Sequence, residues 1–148
     1  MNPAQSLPDV SVWFALNLTG HVHHEAARTW FQGSATDHRV CFCRVSQSGL
    51  LRLLTTDAVM RGYGRAPLSN VAAMDQYHAW LALGNVDWSN EPAGLDEVWA
   101  AYAGRPTASP KLWMDAYLAA FARNTGSQLV TCDKAMRQFH GVKVLVLG

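Results

Sequence analysis

The chain has 148 residues, enough for one domain with a proper core, and with 49 % apolar and only 16 % charged residues it is not a disordered or highly charged protein. Its formal charge of +1 excludes a strong global field, so a polyanionic partner must be drawn by a local basic patch or a bound metal. Three cysteines, an odd number without framework spacing, argue against a disulfide scaffold and for small core residues in a reducing compartment.

The first strand-like run ends in "SLPD", and a helix over "VSVWFALNL" follows, then a second over "HHEAARTWFQG". "RVCFC" reads as a strand whose period-two alternation puts Cys41 and Cys43 on one face. The helix "SQSGLLRLLT" leads into residues 61 to 68, "RGYGRAPL", the most obvious flexible connection. A helix over "SNVAAMDQYHAWLALG" carries Ser69 as a start signal and Gly84 as a stop signal. A strand around "NVDW" and a helix over "LDEVWAAYAG" come next. "KLWMDAYLAAFA", residues 111 to 122, is helical and apolar around nearly its whole circumference, with Gly126 as its C-cap. "SQLVTCD" and "VKVLVL" are near-continuous apolar strands covered on both faces, with "KAMRQFHG" helical between them. Alternating strands and helices predict one α/β domain over residues 1–148, with parallel pairing and helices on both faces. No leader, long apolar span or lipidation motif is read, so the expectation is a cytoplasmic protein without membrane association.

Three of the eleven acids stand out by position. Asp9 and Asp133 each follow a strand and precede a helical pattern, and in an open parallel sheet the carboxyl ends of the strands face one ligand-binding crevice. Asp115 sits in the first turn of the apolar helix, where an ionised side chain must be paired, hydrogen-bonded or bound to a cation. Ser11 and Thr131 lie close enough in sequence to add hydroxyl hydrogen bonds. Three converging carboxylates either keep some protons or take up a hard cation, and an oxygen-only set suits Mg²⁺ or Mn²⁺, the chemistry of phosphodiester hydrolysis. Each aspartate alone is equally well read as a helix cap or a first-turn acid. Glu25, Asp37, Asp57, Asp75, Asp87, Glu91, Asp96 and Glu97 read as solvated surface.

Three blocks in order, "LPDVSVWFALNLTGHVHHEAARTWF", "CRVSQSGLLRLLT" and "MDAYLAAFARNTGSQLVTCDKAMRQFHGVKVL", resemble the PIN-domain family, most closely the VapC-type toxins of bacterial toxin–antitoxin pairs. The resemblance is weakest over residues 56 to 105. It implies a three-layer α/β fold with a central parallel sheet of four to five strands, and a Mg²⁺- or Mn²⁺-dependent endoribonuclease leaving a 5′-phosphate and a 3′-hydroxyl. It also implies an RNA substrate, a cognate antitoxin inserting a segment into the acidic crevice, and a homodimer. By this resemblance Asp9, Asp115 and Asp133 are metal ligands. The usual glutamate of a second acidic position is matched by Gln47, which can accept a hydrogen bond from a metal-bound water but carries no charge. That departure opens an alternative, a catalytically weak or inactive PIN-like module that binds RNA or protein. A different metal phosphoesterase on a similar sheet is a second.

Arg44, Arg52 and Lys111 flank these positions and are read, with Ser11 and Thr131, as substrate-binding residues. Arg61, Tyr63 and Arg65 on the "RGYGR" loop suit single-stranded RNA as well as they suit an ordinary surface turn. "HVHH" followed by Glu25 lacks the ligand set of a structural zinc site and reads as a solvated helix entrance. Trp13, Trp30, Trp99 and Trp113 fall at core spacing, whereas Trp80 and Trp88 read as partly exposed.

Overall fold

The structure, a computed structural model, describes residues 4–34 and 38–148. Its elements in chain order are β1 (Gln5–Pro8), α1 (Val10–Asn17), α2 (His24–Gly33), β2 (Arg39–Phe42), α3 (Arg44–Leu54), α4 (Asp57–Arg61), α5 (Asn70–Leu81), β3 (Val86–Trp88), α6 (Leu95–Ala103), α7 (Leu112–Thr125), β4 (Gln128–Thr131), a 3-10 turn (Lys134–Gln138) and β5 (Lys143–Val146). The five strands form one parallel sheet in the order β3-β2-β1-β4-β5. The chain runs outward from β1 to β2 and β3, then returns to the other side of β1 for β4 and β5. The strand order therefore reverses between β1 and β4, where a crevice opens at the carboxyl ends of the strands.

Period-two alternation distributes the sheet side chains between two helical layers. Leu7, Cys41, Cys43 and Leu129 face a layer built from α6 and α7. Val40, Phe42 and Val130 face the other, built from α1, α3 and α5. Trp13 of α1 stacks on Phe42 with ring centroids 3.8 Å apart. On α7, Ala116, Ala119, Ala120 and Ala122 are fully buried, and their small side chains let the helix settle close against the strands. Cys41 and Cys43 share a face as the alternation requires, and burial pushes the Cys41 thiol up to about 12, leaving it an inert core residue.

The helix boundaries follow local chemistry. The Ser69 hydroxyl accepts from the Ala72 N–H at 3.0 Å and starts α5, which ends at Leu81, short of the expected stop at Gly84. Gly126 closes α7 in the left-handed region at φ 68°. Residues 134–138 form a 3-10 turn where a helix was expected. The start of the "RGYGR" connection belongs to α4, held by buried Met60 and by the Arg61–Asp57 pair at 2.7 Å. Trp113, expected in the core, is 53 % exposed. Burial along α7 becomes continuous only from Ala116, and the Trp113 ring rests edge-to-face on Trp99. Trp80 and Trp88 are half-buried, as expected.

Two acids expected on the surface are structural instead. Asp87 accepts from Arg39 Nε at 2.6 Å and ties β3 to β2, and Glu91 accepts the Tyr117 hydroxyl at 2.7 Å. Asp37 lies outside the described residues. No helix among the described residues is long and apolar enough to cross a membrane.

Candidate acidic site

The tips of β1 and β4 are locked together by side-chain oxygens. Asp9 is the N-cap of α1, its Oδ1 accepting from the Val12 N–H at 3.2 Å and from the Ser11 hydroxyl at 2.5 Å. Its Oδ2 accepts from the Thr131 hydroxyl at 2.5 Å, across to the end of β4. Ser11 Oγ in turn accepts from the Cys132 N–H at 3.1 Å, and Thr131 Oγ1 from the Asp133 N–H at 3.0 Å. Both carboxylate oxygens of Asp9 are thus fixed. Burial nevertheless raises its pKa above the ordinary carboxylate value, the four hydrogen-bond contributions opposing that rise.

Asp133 is exposed and caps the following 3-10 turn, its Oδ1 accepting from the Ala135 N–H at 2.9 Å. Asp115, half-buried in the first turn of α7, accepts no hydrogen bond among the described residues. Its pKa is raised by burial first, and then by the negative charges of Asp9 and Asp133. The three aspartates, brought from residues 9, 115 and 133, line one cleft of about 380 Å³.

The opposite wall of that cleft is α3, which presents Val45, Ser48, Gly49 and Arg52, a spacing of three, one and three residues that defines one helical face. Gly49 is required there, since an added Cβ would come within 2.5 Å of Val10 Cγ2, and only hydrogen lets α3 lie this close behind Asp9. Cys43 and Ser46 set the phase of the helix, the Cys43 N–H donating to Ser46 Oγ at 3.0 Å.

Of the residues read from the sequence, Asp9, Asp115, Asp133, Ser11 and Arg52 meet at this cleft, and Thr131 lies buried beneath it. Lys111 lines an adjoining cavity that shares Asp115. Gln47 and Arg44 are not brought to it. Arg44 Nη1 donates to Gln47 Oε1 at 2.6 Å and its guanidinium lies 4.6 Å from the Trp88 ring centroid, while Gln47 sits beside Tyr77. One residue of helical phase, about 100°, turns position 47 away and brings position 48 in. Tyr63 stacks on His21 at 5.4 Å, and neither Arg61 nor Tyr63 lines the cleft. The sequence reading missed Ser48, Gly49 and Met114 as lining residues. Only the phase of α3, fixed by its cap at Cys43, marks the first two.

Among the described residues, no three His, Cys, Asp or Glu side chains are gathered closely enough to hold a metal ion between them. The donor set nevertheless fits an open Mg²⁺ site, because that ion keeps several waters and takes only one or two carboxylates plus substrate oxygens. None of the three aspartates has a cationic partner within ion-pairing distance among the described residues, so their mutual repulsion is uncompensated by the protein.

Comparison with known proteins places the chain in a wider group. The PIN domain profile matches residues 6–142. VapC41, a ribonuclease of Mycobacterium tuberculosis, is 44 % identical over 143 residues, covering 96 % of this chain and 98 % of the relative. Among solved structures, the sarcin–ricin loop cleaving toxin VapC20 of the same organism superposes with a TM-score of 0.63 at 21 % identity, covering 93 % of this chain and 98 % of VapC20. VapBC2 of Rickettsia felis, solved on a DNA fragment from its promoter, gives 0.65 at 9 % identity over 97 % of this chain and 99 % of that one.

Proposed function

The chain belongs to the PIN domain family and to its VapC-type ribonuclease toxins, and on that premise we propose that it is a divalent-metal-dependent endoribonuclease centred on Asp9, Asp115 and Asp133. The observation that carries the proposal is the convergence of three aspartates from distant segments on one cleft at the reversal of strand order, with the pKa of Asp115 raised by burial and then by the other two charges.

Each aspartate has its own part. Asp9, whose carboxylate gives Oδ1 to Ser11 and the Val12 N–H and Oδ2 to Thr131, is the preorganised acceptor, with lone-pair capacity left on Oδ2 for a cation. Asp115, without donors of its own, is free to reorient toward a cation. Asp133 projects from the exposed turn after β4 with one oxygen engaged by its cap. A bound Mg²⁺ or Mn²⁺ would offset most of the trio's negative charge and polarise a phosphoryl oxygen. Ser11 and Thr131 act through Asp9 as positioning residues. Arg52, exposed on the far wall, is placed to meet a substrate phosphate. Hydrolysis with water as nucleophile would leave a 5′-phosphate and a 3′-hydroxyl.

The relatives solved as VapBC assemblies support a cognate antitoxin for this chain as well, and a cation-bearing segment of such a partner would find its complement in the uncompensated trio. The test is cleavage of a single-stranded RNA with Mn²⁺, with and without chelator, comparing wild type with Asp115→Asn. Metal-dependent cutting lost in the variant is the expected result. Cutting that survives chelation, or equal rates in both proteins, overturns the proposal.

A further inference from the structure

A second cavity, of about 390 Å³, opens beside the acidic cleft and shares Asp115 with it. Its walls are Arg105, Ser109, Pro110 and Lys111 from the loop between α6 and α7, together with Leu112 and Gln138. We propose that this cavity is a phosphate subsite of the RNA track, in which Arg105 and Lys111 hold the phosphate next to the one being cleaved. The inference rests on the nuclease reading above and adds to it a direction for the strand, from Arg52 on α3 across the aspartates to the 104–111 loop.

Electrostatics require something of this kind. A polyanion must approach three carboxylates in a protein whose formal charge is only +1, so its phosphates need cations close to the site. Arg28, Arg39 and Arg61 are each paired with a carboxylate. Arg52, Arg105 and Lys111, on the two sides of the cleft, have no carboxylate partner among the described residues. Arg105 instead receives a neutral acceptor, its Nη2 donating to Gln138 Oε1, which orients the guanidinium without cancelling its charge.

The backbone of the loop is also restrained. Pro106 and Pro110 bracket the segment and fix their φ angles, so little freedom is lost when a ligand arrives. Gly104, which starts it, leaves α6 with a turn so close that a Cβ would lie 2.8 Å from the Ala100 carbonyl oxygen. Only glycine fits that turn, and Arg105 follows it directly into the cavity wall. No side chain here reaches the reacting atoms. Arg105 and Lys111 are binding residues, and their effect belongs in KM, in affinity and in the salt dependence.

The experiment uses a fluorescein-labelled single-stranded RNA twelve-mer. Binding is followed by anisotropy in chelator, over a range of salt concentrations, for wild type, Arg105→Ala/Lys111→Ala and Lys143→Ala, the last altering an exposed lysine on β5. Cleavage with Mn²⁺ is measured in parallel. The expected result for the double variant is a Kd and KM raised at least about 10-fold with kcat within about 2-fold. Its slope of log K against log salt should be shallower by about 0.7 for each phosphate that the variant no longer neutralises. Lys143→Ala should match wild type. A double variant with wild-type Kd, KM and salt slope overturns the subsite while leaving the nuclease reading intact. A drop equal to that of Lys143→Ala makes the effect one of net charge and also overturns it. A wild type that neither binds nor cuts RNA removes both proposals together.

Discussion

The two sides of the acidic cleft are built on opposite plans. On the strand side, Asp9 is buried at 7 % exposure and its carboxylate is satisfied from within the frame of β1, α1 and β4. On the helix side, Asp115 is half-buried with no donor, pushed against two like charges, and flanked by exposed Trp113 and Met114 and by the 104–111 loop. Asp9 therefore serves the fold as well as the site. Asp115 is costly to the fold, which fits the ligand role proposed for it.

The largest effects come from separating those two roles. Asp9→Ala and Asp115→Asn should each lower RNA cleavage by at least about 100-fold, more than loss of an outer-shell partner costs. Their effects on the metal-free fold should be of opposite sign. Asp9→Ala removes a helix cap and orphans the Ser11 and Thr131 hydroxyls, a loss of about 1–3 kcal/mol by chemical denaturation. Asp115→Asn removes a repelled charge and no hydrogen bond, and should raise Tm by on the order of 2 °C. Equal destabilisation by both would erase the contrast.

Thr131→Val tests the strand side without touching a proposed ligand. It deletes the hydroxyl that holds Asp9 Oδ2 and receives the Asp133 N–H, while preserving the shape of the side chain. Cleavage should fall about 10–100-fold, with the metal concentration needed for half-maximal rate shifted upward. An unchanged metal requirement would mean that Asp9 needs no such support.

How far these features could be read in advance depended on whether they are local. Asp9 was legible because a short apolar run ending in a carboxylate before a helical pattern marks a strand tip and a cap at once. The five strands and their parallel pairing followed from alternation with helices. Ser69 and Gly126 announced their caps by residue type alone. What escaped was phase and placement. Whether position 47 or 48 of α3 faces the aspartates depends on where the helix begins, and a Cys–Ser box at residues 43 and 46 is a faint signal. Arg105 escaped because a loop carries no periodicity, and its cavity exists only once α7 and the turn at Gln138 are in place. Trp113 reads as core on any helical wheel. Its exposure reflects the point along α7 at which continuous burial begins, which the sequence does not mark.

The pH response sharpens the same contrast. Asp9 and Asp115 both have folded pKa values raised above 3.8, so the native state holds these protons more tightly than the unfolded chain. Their favourable contribution is complete below 3.8 and is lost as pH rises through the raised folded values. The Tm advantage of metal-free Asp115→Asn over wild type should therefore grow between about pH 4 and pH 7, where only the wild type acquires the charge. Added Mn²⁺ should stabilise wild type at about pH 7 by mass action and lose that effect on acidification, as protons compete for the same oxygens. A Tm difference that is flat with pH would show that Asp115 does not carry the burial cost and repulsion assigned to it.

The smallest effect is expected where the family pattern departs. Restoring the carboxylate by Gln47→Glu places a charge beside Arg44, over the Trp88 side of α3, and not in the cleft. Cleavage should stay within about 3-fold of wild type, and the new carboxylate should simply pair with Arg44 as a partly exposed contact worth no more than about 1 kcal/mol. Ser48→Glu, one residue on, directs the carboxylate into the wall shared with Arg52 and Gly49 and should lower the metal concentration needed for half-maximal rate. Buried Ser46, Leu50 and Leu54 hold α3 in this phase, so a gain from Gln47→Glu without one from Ser48→Glu would overturn the assignment of position 48, rather than 47, to the cleft.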